Sequence, residues 1–123
     1  EAGWTIIPFQ KRYIVEGVVM QHYFTSGAMG RAMGGVGHAV NLTKIDGRSR
    51  IQGHTHELKY HYESRGRKRF GLVAGMFFDQ DVSYMDEESN ESYWSGVHML
   101  HELNDSDAQI QHLRMDHLRK KYA

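Results

Sequence analysis

The chain of 123 residues carries 15 Lys+Arg against 15 Asp+Glu, so it has no net charge with histidine neutral. That balance removes any global electrostatic case for a nucleic-acid partner; such a contact needs a local patch. Absence of cysteine excludes disulfides and thiolate metal sites, and no apolar run approaches membrane-spanning length. The expectation is one domain over residues 1–123, fairly polar, in a reducing compartment and away from membranes. A chain that opens without Met, in an aromatic-rich segment, is also expected to be a fragment or a processed product.

Residues 4–9 are apolar with Pro8 near their end, and read as a short edge strand or an entering segment. Residues 13–20 are β-branched and aromatic and read as one buried strand. It ends at Gln21-His22-Tyr23-Phe24. α/β folds place chemistry beyond the carboxyl ends of their strands. The other reading of His22 is a histidine satisfied by a hydrogen bond.

Residues 25–37 are rich in small residues, among them Ser26, Gly27, Gly30 and Gly34. Such a loop can wrap a phosphate with backbone N–H groups, and Arg31 can add a bidentate contact. It lacks the Gly-Lys-Ser/Thr ending of a Walker loop, and glycine also serves plain turns. Residues 38–45 predict a short helix with Ala39, Leu42 and Ile45 on one face, stopped by Asp46-Gly47 and flanked by His38.

Residues 48–52 lead into Gly53-His54-Thr55-His56. Neutral imidazole binds Zn, Mn and Fe well, and Gly53 permits a sharp turn. In an ideal strand His54 and His56 would face the same side; at a strand end the backbone can swivel, and the two rings could serve one ion or two neighbouring ions. Nine histidines in 123 residues give on the order of 0.6 His-x-His pairs by chance, so the motif needs company elsewhere in the chain.

Residues 58–62 and 70–74 predict a hairpin across 64–67, with His61 on its first arm. Residues 71–78 form the most apolar run and read as a buried strand. Asp79 and Asp81, near Tyr84, read as a strand-end turn rather than a hard-cation pair. An acidic surface loop follows at 86–92. Residues 93–103 predict a strand with Trp94 and His98 on one side and Val97, Met99 and His101 on the other. After a turn at 104–107, residues 108–115 pair back with Ile110, His112 and Arg114 on one face. Residues 116–123 read as a basic tail.

Together these pieces resemble the C-terminal half of the calcineurin-like metallophosphoesterase superfamily. A strand ending in His22, a helical connection, a strand ending in Gly53-His54-Thr55-His56 and a meander with Trp94 and Gly96 carry the likeness. The string Gln21-His22-Tyr23-Phe24-Thr25-Ser26-Gly27 with Met29-Gly30-Arg31 is similar to phage and bacterial members, as is the ending Leu118-Arg119-Lys120-Lys121-Tyr122. The resemblance implies an α/β fold: the C-terminal half of a two-sheet αββα sandwich, strand-rich with one early helix. It implies two divalent ions, drawn from Mn, Fe, Zn or Ni, with His22 and His54 on one and His56 on the other. Ser26 and Arg31 would meet the substrate phosphate. The implied reaction is hydrolysis of a phosphomonoester or phosphodiester, nucleic acids included, in the cytoplasm (the host's, for a viral protein).

The family's Asp-x-His, Gly-Asp and Gly-Asn-His-Glu/Asp segments do not occur in this chain. The bridging carboxylate, the remaining ligands and the catalytic acid would therefore come from a missing N-terminal half or a partner chain. No catalytic residue is assigned here. Two other classes stay open: a noncatalytic binding or structural protein, assembling through an exposed sheet edge as a homo-oligomer or with a partner, and a module binding a single metal ion.

Overall fold

A five-stranded sheet carries the fold, with a helix on one face and a long β-hairpin on the other. The computed structural model describes residues 3–27, 29–77 and 92–122. In chain order the elements are β1 (Tyr13–Val15), β2 (Val18–Gln21), β3 (Thr25–Ser26), β4 (Arg31–Ala32), α1 (His38–Thr43), β5 (Arg50–Gln52), β6 (Leu58–Glu63), β7 (Arg69–Ala74), β8 (Gly96–Asn104), β9 (Asp107–Arg114) and α2 (Met115–Tyr122). The main sheet runs β1-β2-β5-β7-β6. Its three inner strands are mutually parallel, and the two edge strands are antiparallel to their neighbours. The protein is thus a strand-rich α/β chain.

Alternation along the inner strands divides two cores. Val19 and Val73 point to α1, where Leu42, Phe24 and Met33 close one apolar layer. Val18, Phe70 and Leu72 point the other way and meet Ala108, Leu100 and Ile110 of the β8–β9 hairpin. On the helix side β5 presents polar residues. Arg50 is only 1% exposed; its guanidinium lies 4.9 Å from the centroid of the Phe24 ring and 2.6 Å from Asp46. It also donates to the Ile45 carbonyl just past the end of α1, where a cation favours the helix dipole.

The hairpin is tied to the sheet through two serines. Ser106 Oγ donates to the Gly17 carbonyl (2.9 Å) and accepts from Ser49 N–H (2.8 Å). Ser49 Oγ donates to the Ser106 carbonyl and accepts from Phe70 N–H. Both serines are fully buried.

The hairpin over 58–74, the helix starting at His38 and the β8–β9 pair agree with the sequence pattern. Three expectations are corrected. Residues 13–20 are two strands, because Glu16 and Gly17 both take positive φ and reverse the chain as a two-residue hairpin turn requires. Of the two readings of residues 4–9, the entering segment fits: they form no strand, and the sheet edge is β1. The strand begun at Arg69 ends at Ala74, since Gly75 at φ 75° turns the chain. The basic tail is helix α2, with Asp116 in its first turn and Arg119, Lys120 and Lys121 in its last, both favourable to the dipole. The early helix is therefore not alone. Asp79, Asp81, Tyr84 and the loop 86–91 lie outside the described residues. No helix among the described residues is long and apolar enough to cross a membrane.

Candidate functional site

β2 and β5 are neighbours and run in the same direction, so their carboxyl ends lie side by side, with Gln21 paired to Gln52. The next step of the ladder continues past the strands, where Gly53 N–H donates to the His22 carbonyl at 3.2 Å. His22 and the Gly53-His54-Thr55-His56 segment therefore meet at one end of the sheet.

Both His54 (φ 70°) and His56 (φ 63°) adopt the left-handed backbone region, which non-glycine residues visit rarely and at some cost. Strand alternation no longer applies there, and the two rings part instead of sharing a side. His54 turns to His22: Nδ1 of His54 is 3.2 Å from Nε2 of His22. His56 turns to Tyr93, with ring centroids 5.0 Å apart, and its carbonyl accepts from Trp94 N–H.

The pair faces solvent, since His22 and His54 are both exposed. Phe9 and Tyr23 flank His22 at 5.2 and 5.9 Å between ring centroids, and Tyr23 also meets His54 at 5.0 Å. Gln10 anchors this wall. Its side-chain oxygen accepts from Tyr23 N–H, and its carbonyl accepts from the Gln21 amide. A groove of about 460 Å³ runs beside His22, floored by Met20, Ile51 and Gly53 and walled by Ile7 and Phe9. Desolvation first, then His54, then His56, hold the His22 imidazole below its ordinary range. Its neutral form, the one that accepts a metal, is favoured.

The separation of the two nitrogens suits a shared ion. Bonds of about 2.0–2.1 Å put adjacent nitrogens of a tetrahedral zinc about 3.3–3.4 Å apart. It also suits an imidazole–imidazole hydrogen bond. Among the described residues, no group of three or more His, Cys, Asp and Glu side chains is arranged to hold an ion. His22 and His54 are thus brought together, and His56 does not join them as a third donor.

Ser26 and Arg31 stand directly opposite each other across β3 and β4, and both are exposed. The base of this small hairpin is pinned to the same sheet end: Phe24 N–H donates to Gln52 Oε1 at 3.0 Å. His38 opens α1 and is fully buried, with neither ring nitrogen bonded. Burial lowers its pKa first; Gln52 opposes, Lys59 lowers, Glu57 raises and His54 lowers it further.

Phe9, Gln10 and Tyr93 went unrecognised in the sequence. The sequence signal for Tyr23 was its place beside His22; Gln10 offered none, because its role depends on a fold-back of the N-terminal segment. Comparison with family models, with curated proteins and with solved structures finds no match.

Proposed function

We propose that this chain is the C-terminal part of a metal-dependent phosphoesterase of the calcineurin-like type, an α–β–β portion of the two-sheet sandwich. The observation that carries the proposal is the His22–His54 pair, 3.2 Å apart beyond the ends of adjacent parallel strands. Divalent ions of the Mn, Fe, Zn or Ni type would supply Lewis-acid chemistry for phosphoryl transfer there. His22 and His54 are the donors on this chain, and His56 would need a change of ring direction to serve a second ion. Arg31, with Ser26 opposite, would orient the phosphate of a phosphomonoester or phosphodiester, a nucleic acid being one such substrate. Carboxylates and a proton donor would come from an N-terminal half or partner chain. Exposed Trp4, Ile6 and Phe9, on the segment that passes beside His22, support a partner on that side.

The test is hydrolysis of a bis-aryl phosphate with added Mn²⁺, with and without a supplied N-terminal half bearing Asp-x-His and Gly-Asn-His segments. The expected result is turnover only with the supplied half, abolished by His54→Ala. Turnover by the 123-residue chain alone at enzyme-like rates contradicts the proposal, as does inactivity in every combination.

One observation favours a second reading, a single-ion module without phosphoesterase chemistry: His22 and His54 pair while His56 packs on Tyr93. A stoichiometry of one ion at this end of the sheet, unchanged by any supplied half and without hydrolysis, selects it.

A further inference from the structure

A second histidine pair lies between the hairpin and the sheet. His98 and His112 are register partners across β8 and β9. Their Nδ1 atoms are 2.8 Å apart and their rings stand at 83°. His98 Nε2 is 2.8 Å from the Ala74 carbonyl oxygen. A carbonyl only accepts, so Nε2 carries the hydrogen, and the neutral ring keeps its lone pair on Nδ1. Metal-binding histidines are commonly held this way, with the outer nitrogen on a carbonyl and the inner one free. Trp94 stacks on His98 at 5.0 Å and 24°, and Tyr60 meets His112 at 5.2 Å and 66°. Both rings are thus held in place before any ligand arrives.

Two lone pairs at this separation repel unless something positive joins them. In the metal-free chain it is the hydrogen on His112 Nδ1, donated to His98 Nδ1. We infer that the His98–His112 pair is a binding site for one late first-row divalent ion, such as Ni²⁺, Cu²⁺ or Zn²⁺, held through both Nδ1 atoms. Taking up the ion moves the His112 proton from Nδ1 to Nε2. Both rings stay neutral, and no proton is released. Bonds of about 2.1 Å set the two nitrogens about 3.0 Å apart at a right angle and about 3.4 Å apart at a tetrahedral zinc, so the rings separate by a few tenths of an ångström and tilt until both lone pairs aim at the ion. An adjoining groove of about 440 Å³, lined by Leu58, Trp94, His112, Arg114 and His117 among others, gives an ion and its waters a way in. Arg114 on its wall is ion-paired with Asp116 at 3.3 Å, which offsets its charge.

This inference stands apart from the His22–His54 pair, and the test separates them. The His22→Ala/His54→Ala double variant removes two exposed side chains and keeps the second pair intact. It is titrated with Ni²⁺ by calorimetry and with Cu²⁺ by electron paramagnetic resonance at pH 7.5. The expected result is one ion per chain with hyperfine coupling to two imidazole nitrogens. Adding His98→Gln or His112→Gln weakens binding by roughly tenfold or more. A second measurement needs no further variant: on adding Zn²⁺, the ¹⁵N resonances of both Nδ1 atoms shift together. Absence of binding in the double variant, binding untouched by either glutamine, or a shift confined to other histidines overturns the inference and leaves a pair that shares only a proton.

Discussion

His54 Nδ1 lies 3.2 Å from His22 Nε2 across 32 residues of chain. Two features bring them together: the parallel pairing of β2 with β5, and the left-handed backbone of His54. A pair of this kind acts as a unit, so each ring matters through the other. His22→Ala and His54→Ala are expected to weaken Zn²⁺ binding at this end of the sheet by similar factors, with the double variant little worse than either. His56→Ala is expected to have the smaller effect, since its ring packs on Tyr93. Calorimetric titration in a His98→Gln background isolates the comparison. Equal losses at all three positions would show that His56 swings in to bind.

Acidification is expected to destabilise the fold through His38. Its folded pKa is lowered, mainly by burial, from an ordinary value of 6.5. The unfolded chain therefore takes up the proton more readily. The stabilising contribution is complete above about pH 6.5 and is lost as the pH falls through the lower, folded value. Urea midpoints at about pH 5 and about pH 7.5 measure the drop. In His38→Leu the drop shrinks, because the leucine takes no proton and leaves no unbonded ring nitrogen. An identical pH dependence in this variant would remove His38 from the account.

α1 sits on the sheet through a glycine. A Cβ built on Gly71 falls onto the Ala39 carbonyl oxygen and comes within 3.1 Å of Leu42 Cβ. A helix backbone cannot yield as a side-chain tip can, so Gly71→Ala is expected to cost about 3 kcal/mol. Chemical denaturation measures it, and an unchanged midpoint would contradict this packing.

Ser106→Ala tests how the hairpin is held. The hydroxyl serves Gly17 O and Ser49 N at 2.9 and 2.8 Å, and both serines are buried. Its loss strands both backbone groups and is expected to lower stability by about 3 kcal/mol. Amide exchange locates the damage: protection should fall at Ser49 and along β8 and β9 before it falls in β2 and β5. Uniform loss across the sheet would mean that the serine supports the whole fold rather than the hairpin.

Local pattern determined a good part of this protein. The period-3.6 spacing of Ala39, Leu42 and Ile45 is enough for α1, and alternation is enough for β6 against β7. Each of these depends on neighbours within one element or one turn. The apolar run over 13–20 misled because a β-branched stretch looks continuous until paired; the reversal at Glu16-Gly17 belongs to the hairpin. The glycine and the two histidines of residues 53–56 are visible as a motif, and a strand end leaves the direction of both rings open. Only the tertiary structure decided that β2 lies next to β5, that positive φ sends His54 to His22 and His56 to Tyr93, and that His98 faces His112. Strand order and register bring together residues far apart in the chain, and a ring's direction follows from backbone angles that residue type alone does not set.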